Sequence, residues 1–369
     1  MIPLNDLSRE LKVLEPRLTE AFSSFVSAGW LVNGSKCREF DLQLARFMGL
    51  DFAVGVANGT DALRLAMLAL GVEPGDLIAM TANAGGYAAT AAASIGAIPV
   101  WFDVNLNGQA DPDSFSLLIE EMRRQNRHLK AVVVTHLFGQ LANAIAISKL
   151  ARSFGIGIIE DCAQAIGSKT PDFSAGTVGD IATLSFYPTK NLGALGDGGA
   201  IATNSWQLAR KVESLKQYGW RQKYHNELAF GINSRLDELQ AGFLLEKLKN
   251  LDTWNEARIA IMEKYQETCS ASVTNIIDTK NGYNGHLAAF RSAPGKRDLT
   301  RRYFESAGIA TDIHYPIPDF DQPAFKGMQL VDLRNTSDFC ESVFSLPLFP
   351  YMLPEEVNSV CNSLGALDV

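Results

Sequence analysis

Long apolar runs are missing from this 369-residue chain. Every apolar stretch is short and broken by glycine or charge, which excludes a membrane-spanning helix. An excess of basic charge is missing too. The 33 Lys and Arg stand against 41 Asp and Glu, and a net charge of −8 argues against a surface that coats nucleic acid. Cysteine is sparse. Cys37, Cys162, Cys269, Cys340 and Cys361 are odd in number, scattered and without a C-x-x-C pair. That excludes a disulfide framework and a cysteine zinc site, leaves no metal site expected, and fits free thiols in a reducing compartment. The start, Met1-Ile2-Pro3-Leu4-Asn5-Asp6, lacks a basic region followed by an apolar core. No secretory signal is expected, and the chain reads as cytoplasmic. Internal repeats and low-complexity tracts are absent as well.

What is present is an ordinary globular composition, 47% hydrophobic and 20% charged, long enough for two domains. Leu7, Leu11, Leu14, Leu18, Phe22 and Phe25 recur at helical spacing and predict an amphipathic N-terminal helix. From about residue 52 to 204, apolar runs (Phe52–Val56, Leu77–Met80, Ile98–Val104, Ala131–Phe138, Ile156–Glu160, Ile181–Phe186, Ala200–Thr203) alternate with helical stretches. That alternation predicts an α/β fold with a mainly parallel sheet covered on both faces. One long helix is expected from about Ser234 to Cys269 as a connector between domains or an interface element. Strand-like Leu287–Phe290 and Ile309–Ile313 with helical Asp298–Ala307 and Pro354–Leu364 then suggest a small α+β unit. The expected domains are 1–250, large and α/β, and 251–369, small and C-terminal.

Three segments carry chemistry. Asn58-Gly59-Thr60-Asp61 stands where a strand gives way to a helix. It is either an N-cap turn or an anion site in which glycine lets the anion approach the helix N-terminus. Glu160-Asp161-Cys162-Ala163-Gln164 closes an apolar strand, where open α/β sheets bind ligands. The carboxylate is either a helix N-cap or the partner of a protonated pyridine nitrogen. Ser185-Phe186-Tyr187-Pro188-Thr189-Lys190-Asn191-Leu192-Gly193 sets a lysine after a strand without acids nearby in sequence, so the amine can be desolvated for Schiff-base chemistry. The glycines 196, 198 and 199 lack G-x-G-x-x-G spacing, and a strand follows them, which opposes a dinucleotide loop.

These segments, with Gly231-Ile232-Asn233-Ser234-Arg235, His136-Leu137-Phe138-Gly139-Gln140 and His314-Tyr315-Pro316, follow one another over nearly the whole chain. In this order the sequence resembles the DegT/DnrJ/EryC1/StrS family of pyridoxal-phosphate-dependent sugar aminotransferases. The resemblance implies the aspartate aminotransferase type I fold, a mainly parallel seven-stranded sheet flanked by helices plus a smaller α+β C-terminal domain. It implies pyridoxal 5'-phosphate as cofactor, with pyridoxamine phosphate as its aminated form. Lys190 matches the Schiff-base lysine, Asp161 the aspartate at the pyridine nitrogen and Gln164 the glutamine near the ring hydroxyl. Gly59, Thr60 and Ser185 fall where the family holds the phosphate, Asn233 where a partner subunit reaches it, and Tyr87 where an aromatic ring stacks on the cofactor. A homodimer with sites at its interface is implied, with L-glutamate and a nucleotide-diphosphate keto sugar as substrates and neither nucleic acid nor membrane as a partner.

Most members read Pro-x-x-Thr before the stacking residue; this chain reads Asn83-Ala84-Gly85-Gly86-Tyr87, and greater backbone freedom is expected there. The string is similar to that of members acting on dTDP-3-keto-6-deoxy sugars, and His314–Asp319 points the same way. The product would then be a dTDP-3-amino-3,6-dideoxyhexose; a 4-keto or UDP-linked sugar is the alternative. Lysine at position 190 opposes a dehydratase, which in this family carries histidine there. The intact Lys190, Asp161 and Gln164 oppose a non-catalytic binding protein. Tyr187, Tyr224, Arg235, His314 and Tyr315 are the candidate substrate residues, with His225 beside Tyr224. His136 is either near the sugar or a core histidine. Arg297, Arg301 and Arg302 read as a solvated helix face.

Overall fold

The computed structural model describes residues 1–326, 328 and 330–368. Helix α1 (Leu7–Ala28) starts at Asp6, whose carboxylate caps the Ser8 N–H, and ends at Gly29 in the left-handed region. Helix α2 (Ser35–Met48) follows. Then come β1 (Phe52–Val56), α3 (Gly59–Ala69), β2 (Leu77–Thr81), α4 (Tyr87–Ser94), β3 (Ile98–Phe102) and α5 (Pro112–Arg124). They are succeeded by β4 (Leu129–Thr135), α6 (Ala144–Ser153), β5 (Gly157–Asp161), β6 (Ile181–Ser185) and β7 (Gly199–Thr203). The seven strands form one sheet in the order β1-β7-β6-β5-β4-β2-β3. Only β7 runs antiparallel to its neighbours. Its strands are almost wholly buried, as a sheet covered on both faces requires.

After α7 (Trp206–Leu215) the chain makes a short hairpin, β8 (Trp220–Gln222) and β9 (His225–Asn226). The single helix expected from Ser234 to Cys269 is instead two, α8 (Glu238–Leu248) and α9 (Leu251–Thr268). Asn250 makes the break: its Nδ2 donates back to the Glu246 carbonyl and its N–H to that of Lys247. Asparagine competes with the helical ladder in this way, while apolar periodicity runs on through the kink. The remainder holds β10 (Val273–Asn275), β11 (Ala288–Ser292), α10 (Arg297–Ser306), α11 (Arg334–Ser342), β12 (Val343–Leu346) and α12 (Pro354–Gly365). Strands β10, β11 and β12 form an antiparallel sheet around Phe290, Phe304 and Phe344. Ile309–Ile313 is not a regular strand; Ile309 bridges Ile2, and Asp312 bridges Ser345. The arginines of α10 are less free than expected. Arg297 donates to the Cys340 carbonyl and Arg301 to the Thr311 hydroxyl, so only Arg302 is a solvated residue.

Two features bring distant segments to the sheet's carboxyl edge. The first residues pair with the C-terminal part, Ile2 N–H on Gly308 and Leu348 N–H on the Leu4 carbonyl. On the other side Leu14 and Leu18 of α1 pack with Phe243 and Trp254 of α8 and α9, beside a buried Glu10–Lys247 ion pair of 2.7 Å.

Candidate active site

Strands β1, β5 and β6 deliver their carboxyl ends to one cavity of about 700 Å³. Gly59, Thr60, Tyr87, Asp161, Ser185, Tyr187, Lys190, His314 and Tyr315 all line it. The topology explains why. Gly199 of β7 lies in register with both Val56 of β1 and Ser185 of β6. Its missing side chain leaves room for the Asn58 carbonyl, so the start of α3 is drawn against Ser185. A Cβ on Gly59 would stand 2.6 Å from Ser185 Cβ.

Asn58 caps α3, accepting from Asp61 N–H at 2.8 Å through its side chain and from Ala62 N–H through its carbonyl. Among the described residues the Gly59 and Thr60 N–H groups have no acceptor, and they head an 11-residue helix at the cavity wall. The N-cap reading is met, and beside it two backbone donors stay free at the helix start.

Asp161 is buried where β5 ends. It accepts from Ala163 N–H at 3.1 Å and from the Thr135 hydroxyl, and burial nevertheless raises its pKa. Its neighbour on the strand faces elsewhere. The Glu160 carboxylate takes the N–H groups of Gly176, Val178 and Gly179 and the Nε2 of His136 at 2.9 Å. His136 Nδ1 accepts from Ala142 N–H, so its proton is on Nε2 and it donates to Glu160. His136 is thus a satisfied core histidine.

Lys190 sits in a tight turn after β6, its N–H on the Tyr187 carbonyl. The turn is held by buried Phe186, which packs edge-on against Phe40, and by buried Leu192 and Ala194. The half-buried amine is desolvated, which lowers its pKa to about 8, and the charge of Asp161 opposes the shift.

Gly85 and Gly86 both hold positive φ, +80° and +74°. The missing side chain of Gly85 admits the Tyr315 ring, which its Cβ would meet at 2.8 Å. Tyr315 packs edge-on to Tyr87 with ring centroids 6.0 Å apart and accepts from Gln164 Nε2 at 3.1 Å. Gln164 Oε1 takes the Phe138 N–H, so Gln164 stands behind the wall that Tyr315 forms. His314 bonds Ser345 Oγ through Nδ1, with Asp312 3.8 Å from Nε2.

The remaining expected residues lie elsewhere on the chain. Asn233 and Arg235 line a smaller adjacent cavity of about 360 Å³, which shares Asn58 and Asp197 with the first. Tyr224 stands 77% exposed on the hairpin beside Trp220, with His225 exposed next to it. Sequence reasoning missed Leu4, Asn5, His286 and Asp312 in the cavity wall. Asp312 was within reach of the His314 motif. The others come from long-range pairing that leaves no local signal.

The cavity fits pyridoxal phosphate. It offers free N–H donors at a helix start, a buried lone carboxylate and a desolvated amine. A family model described as the DegT/DnrJ/EryC1/StrS aminotransferase family matches residues 13–365. The chain is 36% identical to the dTDP-3-amino-3,6-dideoxy-alpha-D-galactopyranose transaminase of Aneurinibacillus thermoaerophilus, over 99% of each chain. It is 32% identical to the UDP-N-acetyl-3-dehydro-alpha-D-glucosamine 3-aminotransferase of Acidithiobacillus ferrooxidans, covering 96% of this chain and 95% of that one. Among solved structures, S. venezuelae DesV in complex with a ketimine intermediate superposes with a TM-score of 0.92 at 32% identity, over 99% of this chain and 97% of that one. Fold and site together define a pyridoxal-phosphate-dependent aminotransferase. The chain belongs to the DegT/DnrJ/EryC1/StrS aminotransferase family.

Proposed function

We propose that this aminotransferase moves the amino group of L-glutamate onto a nucleotide-linked keto sugar, dTDP-3-keto-6-deoxyhexose, giving a dTDP-3-amino-3,6-dideoxyhexose. The observation that carries the reading is the depressed Lys190 amine in one cavity with Asp161 and the open N-terminus of α3. Bound pyridoxal phosphate supplies the electron sink that lets the donor's α-carbon lose its proton. Lys190 would hold the cofactor through its amine, and as a free amine the same group would be the acid and base that moves the proton. Asp161 would keep a proton on the pyridine nitrogen, and Gln164, which bonds Tyr315 from behind the cavity wall, would act on the ring hydroxyl's side. Gly59, Thr60 and Ser185 would hold the phosphate, and Tyr87 would hold the ring.

Tyr187, His314 and Tyr315, at the cavity wall, orient the sugar. Asn233, Tyr224 and Arg235 lie outside their own chain's cavity, which supports a homodimer in which each chain completes its partner's site. The five free cysteines support a reducing, cytoplasmic setting. The division into a large domain, 1–250, and a small one, 251–369, is supported by the break between α8 and α9. The 36% identical dTDP-sugar relative supports the 3-keto substrate.

The test is holoenzyme with glutamate alone, then with dTDP- and UDP-linked 3-keto and 4-keto sugars. The cofactor's absorbance should change with glutamate and return with the 3-keto dTDP sugar. Turnover of 4-keto or UDP sugars only would refute the substrate. An unchanged spectrum with glutamate would leave a binding protein.

A further inference from the structure

Asn191 follows Lys190 in the turn, and its side chain is buried in a network whose polarity is fixed by backbone carbonyls. Its Nδ2 donates to the Asn284 carbonyl at 3.0 Å and to Asn255 Oδ1 at 2.7 Å. A carbonyl only accepts, so the amide cannot be flipped. Asn255 is fixed likewise by Nδ2 on the Ile166 carbonyl. The Asn191 Oδ1 therefore faces His286 Nδ1 at 2.9 Å, and His286 must carry its proton on Nδ1. His286 in turn takes its place from β11's approach, its N–H on Asn284 Oδ1. Burial and the charge of Lys190 hold its ring well below the usual histidine pKa, which agrees with a neutral donor.

We propose that His286 is the positioning residue for Lys190, acting through the Nδ1–H bond to Asn191 that ties the lysine turn to the C-terminal sheet. This rests on the reading of Lys190 as the reacting amine. Without the donor, Asn191 Oδ1 is buried without a partner and the turn relaxes toward solvent. Besides His286, the titratable groups that act on or sit near Lys190 are Asp161 and His314, and the substitution leaves both in the sequence.

The test compares His286→Asn, whose amide N–H stands where Nδ1–H stood, with His286→Leu, of similar shape and without a donor. In the holoenzyme the Leu variant should lose about 10- to 100-fold in kcat, as a misplaced group does. KM for glutamate and for the keto sugar should move less than about threefold, and Asn should hold kcat within about threefold of wild type. In apoprotein, Lys190 labelling by trinitrobenzenesulfonate should show a midpoint near 8 in wild type and the Asn variant. In the Leu variant it should rise toward the ordinary lysine range. Equal kcat and midpoints in both variants overturn the proposal. Should Leu not fold, a tenfold or greater loss in Asn overturns it. Turnover by Lys190→Ala would instead overturn the reading of the site, which the His286 pair leaves untouched.

Discussion

Lys190 and Asp161 share one cavity, and burial moves them in opposite directions, the amine down to about 8 and the carboxyl up. Each resists the other's shift, because the charged forms attract. Two residues 29 positions apart in sequence thus make one electrostatic unit, assembled by the adjacent strand ends of β5 and β6.

Asp161→Asn removes the charge that lifts Lys190. In apoprotein the labelling midpoint of Lys190 should fall below 8, since burial then acts unopposed. In holoenzyme kcat should fall about 10²- to 10³-fold, the size expected for losing one preorganised electrostatic group. A midpoint that stays at 8 would show that Asp161 does not reach the amine.

Gly59→Ala should damage the phosphate end specifically. The new Cβ would lie 2.6 Å from Ser185 Cβ, so the β6 end must shift. Overpacking of this kind costs about 1–3 kcal/mol, read as a lower Tm of apoprotein. Cofactor Kd, measured by titration into apoprotein, should rise by about tenfold or more. Unaltered affinity would move the phosphate away from the start of α3.

Much of this site was legible because its signals are local. Strand-to-helix turns, a glycine before a helix and an acid at a strand end each leave a mark within a few residues, and the alternation of apolar runs dictated the parallel sheet. Three things were not legible. Apolar periodicity passes through Asn250 unbroken, so two helices read as one. Glu160 and Asp161 look equivalent in sequence, yet strand pleating sends one to His136 and the other to the cavity. His286 and Asn5 arrive by long-range pairing, in which nothing near them in sequence marks the partner.

Glu160→Gln tests the first of those two acids as a structural group. Burial raises the Glu160 pKa, but His136 and the N–H groups of Gly179 and Gly176 outweigh it, and the net shift is downward. A carboxyl lowered in the folded state stabilises above its unfolded value, and that stability is lost as pH falls through its folded value. Glutamine should cost about 1–3 kcal/mol at neutral pH, because its amide N–H₂ would face N–H donors that the carboxylate now accepts from. The variant's thermal stability should also vary less with acidification than wild type's. An equal acid dependence in both would assign it to other carboxylates.

Gly85→Ala asks whether the paired glycines provide looseness or a shape. Gly85 holds φ +80°, where alanine costs about 1–2 kcal/mol. Its Cβ would also meet the Tyr315 ring at 2.8 Å. Tyr315 must then leave its place against Tyr87 and the Gln164 amide, opening the cavity wall that faces the substrate. The expected result is a lower Tm together with a keto-sugar KM raised more than kcat is reduced, while the glutamate half-reaction stays close to wild type. Were the segment loose, alanine would stiffen the unfolded chain and raise Tm slightly. The sign of the Tm change separates the two, and the fixed geometry predicts a fall.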